Sequence, residues 1–311
     1  MRPLEGITVL DLTRLLPGAV ATLLLHRAGA TVIKIEEPST GDLGRSLPAV
    51  FEATNGGKQS MAINLKSSEG HRAFLDLCVK ADIVTESFRP GVLDRLNLSI
   101  ETLHAANPRL IIASLYGYPS DGPFALMAGH DLNYLAMAGA LDDPPGISKM
   151  QVADIAAGSL PLVNQILLAL LERIRTGKGS RVEVNMVDGL DPLLILPRAM
   201  ADNHVLTGRY AFYNVYQCAD QRWIAVGALE PVFWSNLCAA FDRPDLIPRQ
   251  YDPSVIEILR QIFARRSSLD WFRDLKDKDC CLTPVLRLDE TTPLLHDDGH
   301  APRLGEHRPS R

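Results

Sequence analysis

Short apolar runs alternate with helix-length segments through the first third of the chain, and this alternation restricts the possible folds. Ile7–Leu12 is short and apolar, as a strand of a buried parallel sheet should be, and Thr31–Glu36 is predicted to be the next strand. Gly18–Ala30, between them, has the pattern of a helix, so the three segments form one βαβ unit. The sequence therefore predicts an α/β fold built on a Rossmann-like, doubly wound parallel sheet.

The strand and helix pattern repeats further along the chain. The predicted strands are Ser60–Leu65, Ile83–Glu86, Leu110–Leu115 and a strand containing Val182 and Val184. The predicted helices are Glu69–Lys80 with Ser68 as N-cap, a short piece after Pro90, Ile100–Ala106, a helix starting near His130, and the very apolar Leu160–Arg175. No G-x-G-x-x-G motif follows the first strand, so the usual dinucleotide fingerprint is missing.

The last third of the chain has a different pattern. Tyr213–Cys218 and Trp223–Val226 flank a turn and predict a hairpin. Helices are predicted over Pro231–Phe241, Pro253–Arg266 and Leu269–Lys276, and an edge strand over Leu282–Leu288, which contains Pro284. We therefore expect a large domain over 1–187, followed by a linker and a smaller α+β domain over 188–287. The segment from about 288 to 311 is a candidate for returning to the large domain.

Charge and cysteine usage narrow the class of protein. A formal net charge of −5 argues against a nucleic-acid partner, because nucleic-acid-binding domains are usually basic. The five cysteines are odd in number and form no C-x-x-C pair, which favours reduced thiols in the cytoplasm over a disulfide framework. No signal-peptide pattern and no run of about 18 apolar residues is present, so we expect no membrane span. The His and Cys residues show no ligand spacing, so we expect no metal.

Motifs spread over nearly the whole chain carry a resemblance to a known family. The quoted motifs are Leu4–Leu12 with Pro17-Gly18, Gly57–Ser60, Phe88–Val92, Asn107–Ile111, Ala128–Leu135, Val152–Asp154 and Gly227–Pro231. In this order they resemble the family III CoA-transferase superfamily. Ala128–Leu135, which reads AGHDLNYL, is the most specific and is similar to the α-methylacyl-CoA racemase branch.

The resemblance implies an architecture and a substrate class. Members of this family are interlocked homodimers, with a Rossmann-like large domain and a smaller domain that follows it in sequence. The active site would then lie between the large domain of one subunit and the small domain of the other. The substrate would be an acyl-CoA, so coenzyme A would enter as part of the substrate and no separate cofactor is expected.

The racemase branch also implies the acid and base groups. Its members interconvert (R)- and (S)-2-methylacyl-CoA by moving the α-proton from one face to the other through an enolate. By this resemblance, His130 and Asp154 are the two proton carriers and Glu230 orients His130. Each has an ordinary alternative: His130 begins a helix, Asp154 is the N-cap of the long apolar helix, and Glu230 leads into a helix whose first residue is Pro231.

The resemblance places the coenzyme A site on two stretches of sequence. Backbone around Ile63, Asn64, Leu65 and Lys66 would flank the adenine. Arg89 and the residues Gly129, Asp131, Asn133 and Tyr134 would line the nucleotide and pantetheine path, with the backbone N–H groups near Asp131 facing the thioester oxygen. Lys66 and Arg89 are equally explained as solvated surface charges. Racemases often carry a basic residue where Glu37 stands, so a phosphate contact there must differ.

Two other functions fit parts of the same pattern. A CoA-transferase of this family would use Asp154 as a nucleophile that forms an acyl anhydride and then an enzyme-CoA thioester. A non-catalytic CoA-binding subunit is the third reading. His130 and Glu230 favour the racemase, because a transferase needs no second proton carrier opposite the aspartate.

Overall fold

The computed structural model describes residues 2–141, 145–200 and 205–290. The described chain divides into two compact units at the start of a short helix, with Ile195 last in the first unit and Leu196 first in the second. Residues 291–311, nearly all of the C-terminal segment expected to return to the large domain, lie outside the described residues.

The first unit is built on a six-stranded parallel sheet with the order β3-β2-β1-β4-β5-β6. Its strands are β1 (Thr8–Leu12), β2 (Thr31–Glu36), β3 (Gln59–Ala62), β4 (Ile83–Glu86), β5 (Ile111–Tyr116) and β6 (Arg181–Asn185). Leu10 of β1 pairs with Ile33 on one side and Val84 on the other, which fixes the register at the centre of the sheet. The predicted Rossmann-like parallel sheet is confirmed.

Helices cover the sheet of the first unit. They are α1 (Leu15–Arg27), α2 (Pro48–Asn55), α3 (Ser68–Lys80), α4 (Val92–Arg95), α5 (Ile100–Ala106), α6 (Asp131–Met137), α7 (Leu160–Thr176) and α8 (Met186–Gly189). The short helix α9 (Ile195–Met200) contains the boundary between the two units. A π-helical stretch over Val152–Ser159 runs directly into α7. Short 3₁₀ turns occupy Leu43–Ser46 and Asp191–Leu194.

The alternation of side chains along the strands divides the first core in two. Val9 and Ile83 point to a cluster that includes α1, α6 and α7. Leu10 and Val84 point to the opposite cluster, which includes α3 and α5. Every residue of β4 and β5 is buried, because neighbouring strands and both helical layers enclose them.

The helix α7 is long and carries many apolar residues. With the π-helical turn before it, Val152–Thr176 is the one stretch of the described residues long and apolar enough to cross a membrane. Its inward side chains Leu162, Ile166 and Ala169 are buried in the core, and the helix packs against β5 and β6. One face of this helix is therefore buried in the core, whereas the opposite face, with Leu168, Leu171 and Ile174, is exposed.

A cluster of four buried charged side chains lies beneath the carboxyl ends of β1 and β2. The Lys34 Nζ lies 2.7 Å from Asp42 Oδ2 and 4.0 Å from Asp11 Oδ2. The Lys58 Nζ lies 3.6 Å from the same Asp11 oxygen. Burial lowers the pKa of Lys58 to about 8, against the opposing attraction of Asp11. We call Asp11, Lys34, Asp42 and Lys58 the buried ion cluster.

The second unit combines a small antiparallel sheet with three helices. The sheet order is β7-β8-β9, formed by β7 (Tyr213–Gln217), β8 (Trp223–Gly227) and β9 (Leu282–Pro284). The helices are α10 (Pro231–Ala240), α11 (Val255–Phe263) and α12 (Ser268–Leu275), with a 3₁₀ turn over Pro244–Arg249. The predicted hairpin and edge strand are present, but β9 ends at Pro284 rather than Leu288. Likewise α11 starts at Val255, two residues after the predicted Pro253.

Several details of the first unit differ from the sequence-based expectations. The strand β3 covers Gln59–Ala62, so it ends three residues before the predicted Leu65. The helix α1 begins at Leu15 and not at Gly18. The helix α2 was not predicted, since it is short and follows a loop rich in Gly, Pro and Ser. The N-cap of α3 is Ser67, whose hydroxyl accepts the Gly70 N–H at 3.0 Å, and the predicted cap Ser68 is the first helical residue instead.

We expect Ser67→Ala to destabilise the protein and Ser68→Ala to leave it nearly unchanged. Loss of an N-cap hydroxyl typically costs about 1 kcal/mol, whereas surface changes away from such features stay within about 0.5 kcal/mol. Urea unfolding of both variants measures the difference. Equal destabilisation by the two substitutions would contradict the cap assignment.

Candidate active site

Two cavities open at the carboxyl edge of the parallel sheet in the first unit. The smaller, of about 570 Å³, lies beyond β1, β2 and β3. The larger, of about 760 Å³, lies beyond β1, β4 and β5 and reaches α6 and the π-helical turn. We call them the first and the second cavity. Ligands of open α/β sheets bind at this edge, where the strand order reverses between β1 and β4.

Three side chains line both cavities and make them adjoin. They are Arg14 after β1, Phe88 after β4, and Asp42 of the buried ion cluster. The Arg14 N–H donates to Ser87 Oγ at 3.0 Å, and its guanidinium lies 5.5 Å from the centre of the Phe88 ring. A long ligand with one end in each cavity would therefore pass Arg14 and Phe88.

The structure brings most of the predicted coenzyme A residues to these cavities. Ile63, Asn64, Leu65 and Lys66 all line the first cavity, with Asn64 and Lys66 exposed. The predicted residues that line the second cavity are Arg89, Gly129, Asn133 and Tyr134. Asp131 is not among the lining residues of the second cavity, and its side chain bonds instead to the π-helical turn.

His130 lies at the N-terminus of α6, and its exposed side chain lines the second cavity. It is the N-cap residue of α6: its backbone N–H donates to Asn133 Oδ1 at 3.0 Å, and its C=O accepts the Asn133 N–H at 2.8 Å. These bonds involve only backbone atoms of His130. They leave its imidazole without a capping bond to the helix. The structural and the catalytic interpretations of His130 are therefore compatible.

The residues around His130 are packed closely. The Tyr134 hydroxyl donates to the Gly129 C=O at 2.6 Å. A Cβ added at Gly129 would come within 2.7 Å of the Tyr134 ring and 2.9 Å of the Tyr118 hydroxyl, so only glycine fits there. The close approach of backbone and rings explains the glycine before His130.

Asp154 lies half-buried in the π-helical turn and lines the same cavity as His130. Its N–H donates to Asp131 Oδ1 at 2.9 Å, and its C=O accepts the Ser159 hydroxyl at 3.1 Å. Burial, and then the negative charge of Asp131, raise the pKa of Asp154 to about 6, while His130 opposes the shift. The N-cap interpretation of Asp154 is wrong, because the helix α7 begins at Leu160, several residues later.

Glu230 belongs to the second unit. It is exposed and occupies the N-cap position of α10, followed by Pro231 in the first turn, as the ordinary interpretation of the sequence expected. Its predicted contact with His130 stays a prediction.

Two acidic residues that line the first cavity, Glu36 and Glu37, already form hydrogen bonds within the protein. Arg45 holds Glu36 through two hydrogen bonds, of 2.7 Å and 2.5 Å, and these lower the pKa of Glu36 to about 2. Glu37 accepts hydrogen bonds from the Ser39 and Thr40 backbone and hydroxyl groups, which lower its pKa to about 2 as well. Glu37 therefore organises the loop after β2 and keeps its charge.

Comparison with known proteins assigns the family. The model of "CoA-transferase family III" matches residues 4–307. The chain belongs to CoA-transferase family III.

Relatives within this family carry two kinds of name. The chain is 34% identical to the alpha-methylacyl-CoA racemase of Homo sapiens, over 96% of this chain and 81% of the relative. It is 36% identical to the acetyl-CoA:oxalate CoA-transferase of Acetobacter aceti, over 82% of this chain and 70% of the relative. Among solved structures, Rv3272 of Mycobacterium tuberculosis superimposes with a TM-score of 0.83 at 30% identity, covering 96% of this chain and 87% of that one. The chain is thus an enzyme of a family that contains racemases and transferases.

The family motifs did not reveal Arg14, Asp42 or Phe88 as residues that join the cavities. One signal was available for Arg14, since polar residues directly after a parallel strand lie at the ligand-binding edge. Asp42 had none, because its position depends on the buried contact with Lys34. Within the described ranges, no group of three or more His, Cys, Asp or Glu is placed to hold a metal.

We expect Asp154→Asn to stabilise the fold increasingly as the pH rises from 4 to 6. The carboxyl group has a pKa of about 6 when folded, against an unfolded value of about 3.9, so the folded state binds the extra proton between these values. The wild type therefore loses stability in this window, while the asparagine variant does not. The gain should level off above pH 7 at about 1–2 kcal/mol, because solvent screens a half-buried group.

Chemical unfolding of both proteins between pH 4 and 8 measures this difference. Other titrating groups contribute equally to both proteins and cancel when one curve is subtracted from the other. A stability difference that does not change with pH would contradict the raised pKa of Asp154.

Proposed function

We propose that this enzyme interconverts (R)- and (S)-2-methylacyl-CoA by a two-base 1,1-proton transfer through an enolate. The observation that carries the proposal is that His130 and Asp154 line one cavity and that Asp154 has a pKa of about 6. A carboxyl group of this kind is present in both protonation states near neutral pH, as a group that both takes and gives a proton must be. Histidine meets the same requirement.

The proposed reaction begins with the enantiomer whose hydrogen faces His130. The neutral imidazole takes the proton from C2, and the C–H electron pair moves toward the thioester carbonyl to form the enolate. The protonated carboxyl of Asp154 then gives its proton to the opposite face of C2, which inverts the centre. The enzyme is left with an imidazolium and a carboxylate, the form that starts from the other enantiomer.

The enolate oxygen needs hydrogen-bond donors. In α6 the first backbone N–H bonded within the helix is that of Asn133, so the N–H groups of Asp131 and Leu132 precede the helical ladder. We propose that these groups face the thioester oxygen. The polar and positive residues of the first cavity, Asn64 and Lys66 among them, would take the nucleotide end of coenzyme A.

The proposal includes an interlocked homodimer in which Glu230 of the second unit reaches His130 of the other subunit. It is supported by the outer face of α7, where Leu168, Leu171 and Ile174 are 57%, 61% and 79% exposed. An exposed apolar stripe of this kind marks a surface covered by another molecule. From this substrate we propose a role in lipid metabolism, and we propose a cytoplasmic location, which the five free cysteines support.

A family III CoA-transferase is the second candidate. The 36% identity to an acetyl-CoA:oxalate CoA-transferase supports it, and Asp154 is accessible from the cavity as a nucleophile would be. In that reaction the carboxylate of Asp154 would attack the thioester carbonyl and release the CoA thiolate. His130 would have no role in this first step.

We expect deuterium at C2 when one pure enantiomer of a 2-methylacyl-CoA is incubated with the enzyme in deuterated water without an acceptor acid. The racemase reaction exchanges the α-proton and needs no second substrate. Mass spectrometry and chiral analysis of the thioester measure the label and the inversion. A parallel incubation with an added acceptor acid tests the transferase, which would move CoA to the free carboxylate without label at C2 and leave an acyl or CoA adduct on the peptide bearing Asp154.

We expect His130→Ala and Asp154→Asn to show opposite stereochemical bias. Each group takes the proton from one face, so the histidine variant should lose exchange from one enantiomer and the asparagine variant from the other. Full racemisation should slow by about 10²–10⁴-fold in both. The milder Glu230→Gln keeps the imidazole in place and serves as the comparison. Equal loss of exchange from both enantiomers, with fold and CoA binding intact, would refute the assignment of the two faces.

A further inference from the structure

Asp131 follows His130 in sequence, yet its side chain contacts the other proposed proton carrier. Its Oδ1 accepts the backbone N–H of Asp154 at 2.9 Å, a contact between residues 23 positions apart. Asp131 is half-buried in the first turn of α6, and α6 packs against the π-helical turn. One carboxylate therefore links the segment that carries His130 to the segment that carries Asp154.

The charges around the π-helical turn come from five packed elements. From α6 and its N-cap, Asp131, His130 and Tyr134 interact with Asp154. The elements α1, α7, α8 and β6 also pack against the π-helical turn. Their ionisable residues are His26, Arg27, Glu172, Arg173, Arg175, Asp188, Arg181 and Glu183. The charges that act on the Asp154 carboxyl are those of Asp131, which favours the protonated form, and His130, which favours the ionised form.

We propose that Asp131 is a positioning residue whose hydrogen bond fixes the backbone of Asp154 and whose negative charge favours the protonated form of the Asp154 carboxyl. The proposal rests on the two-base reaction and assigns a function to a side chain that lies outside the cavity lining. A carboxylate bonded to the backbone of Asp154 disfavours a second negative charge on the neighbouring Asp154 carboxyl. It thereby keeps Asp154 able to act as the acid of the reaction.

The consequence concerns the catalytic balance between the two enantiomers. Inversion that starts at His130 needs a protonated Asp154 as the acid, whereas inversion that starts at Asp154 needs its carboxylate. Without the charge of Asp131, the protonated form becomes rarer at neutral pH. The kcat of the inversion that starts at His130 should then fall more than the kcat of the opposite inversion, while the ratio of the two kcat/KM values, which equals the equilibrium constant, stays the same.

The test is Asp131→Asn, which keeps an oxygen to accept the Asp154 N–H and removes the charge. For exchange that starts at Asp154, the limb of kcat/KM that rises with pH reports the ionisation of Asp154. We expect this limb to move about 0.5–1 pH unit toward acid in the variant. Asp131→Ala, which also removes the acceptor, should show the same shift and a further loss of kcat.

Asp188→Asn is the matched control. Asp188 lies on α8, which packs against the same π-helical turn, and its carboxylate accepts a hydrogen bond from Asn185 instead. Removing its charge should leave the pH profile where it is in the wild type. An unmoved profile in Asp131→Asn, or an equal shift in Asp188→Asn, would overturn the proposal.

A second readout needs no catalysis. The stability gained by Asp154→Asn between pH 4 and 7 should be smaller in an Asp131→Asn background than in the wild type, because part of the cost of ionising Asp154 has been removed. If this gain is unchanged, the inference about Asp131 is wrong even where racemisation is observed. If the gain shrinks while no variant exchanges the α-proton, the coupling of the two carboxylates stands and the proposed function fails.

Discussion

The buried ion cluster is the contact on which the arrangement of the site depends. Asp11 lies buried in β1 and accepts hydrogen bonds from the Thr13 and Thr22 hydroxyl groups, at 2.5 Å and 2.6 Å. Lys34 extends from β2 to Asp42 in the following loop. Because removing one partner of a buried ion pair leaves an uncompensated charge, at a cost of about 3–5 kcal/mol, these elements hold one another in place. One member of the cluster, Asp42, lines both cavities, and Lys34 lines the first.

Much of the fold could be predicted from local pattern. The bounds of β2, β4 and α5 agree with the sequence to the residue, because a continuous apolar run or a well-placed serine defines each locally. The helix α2 and the π-helical turn could not be predicted, since neither has a distinct periodicity. The buried ion cluster was also beyond reach, because its partners lie 8 to 47 positions apart in sequence. The lysine within the apolar run Thr31–Glu36 was the one local sign of it.

The site, like the fold, could be predicted from the sequence only in part. The family motifs led to His130 and Asp154, and the structure brings both to one cavity through α6 and the π-helical turn. The local sequence around each residue could not predict this pairing, because each residue alone is better explained as part of a helix terminus. The sequence assigned a role to Asp131 only through its backbone N–H group. The contact between its side chain and Asp154 forms only in the folded chain.

The π-helical turn has a consequence for how this sequence can tolerate insertions and deletions. Such turns arise when a helix accommodates an additional residue, and they occur often at functional sites. A deletion within Val152–Ser159 that restored regular α-helical winding would rotate everything before it by about 100° relative to α7. Asp154 would then turn away from the cavity wall while α7 stayed in its core position. The length of this turn is therefore as strict a requirement as the identity of the aspartate within it.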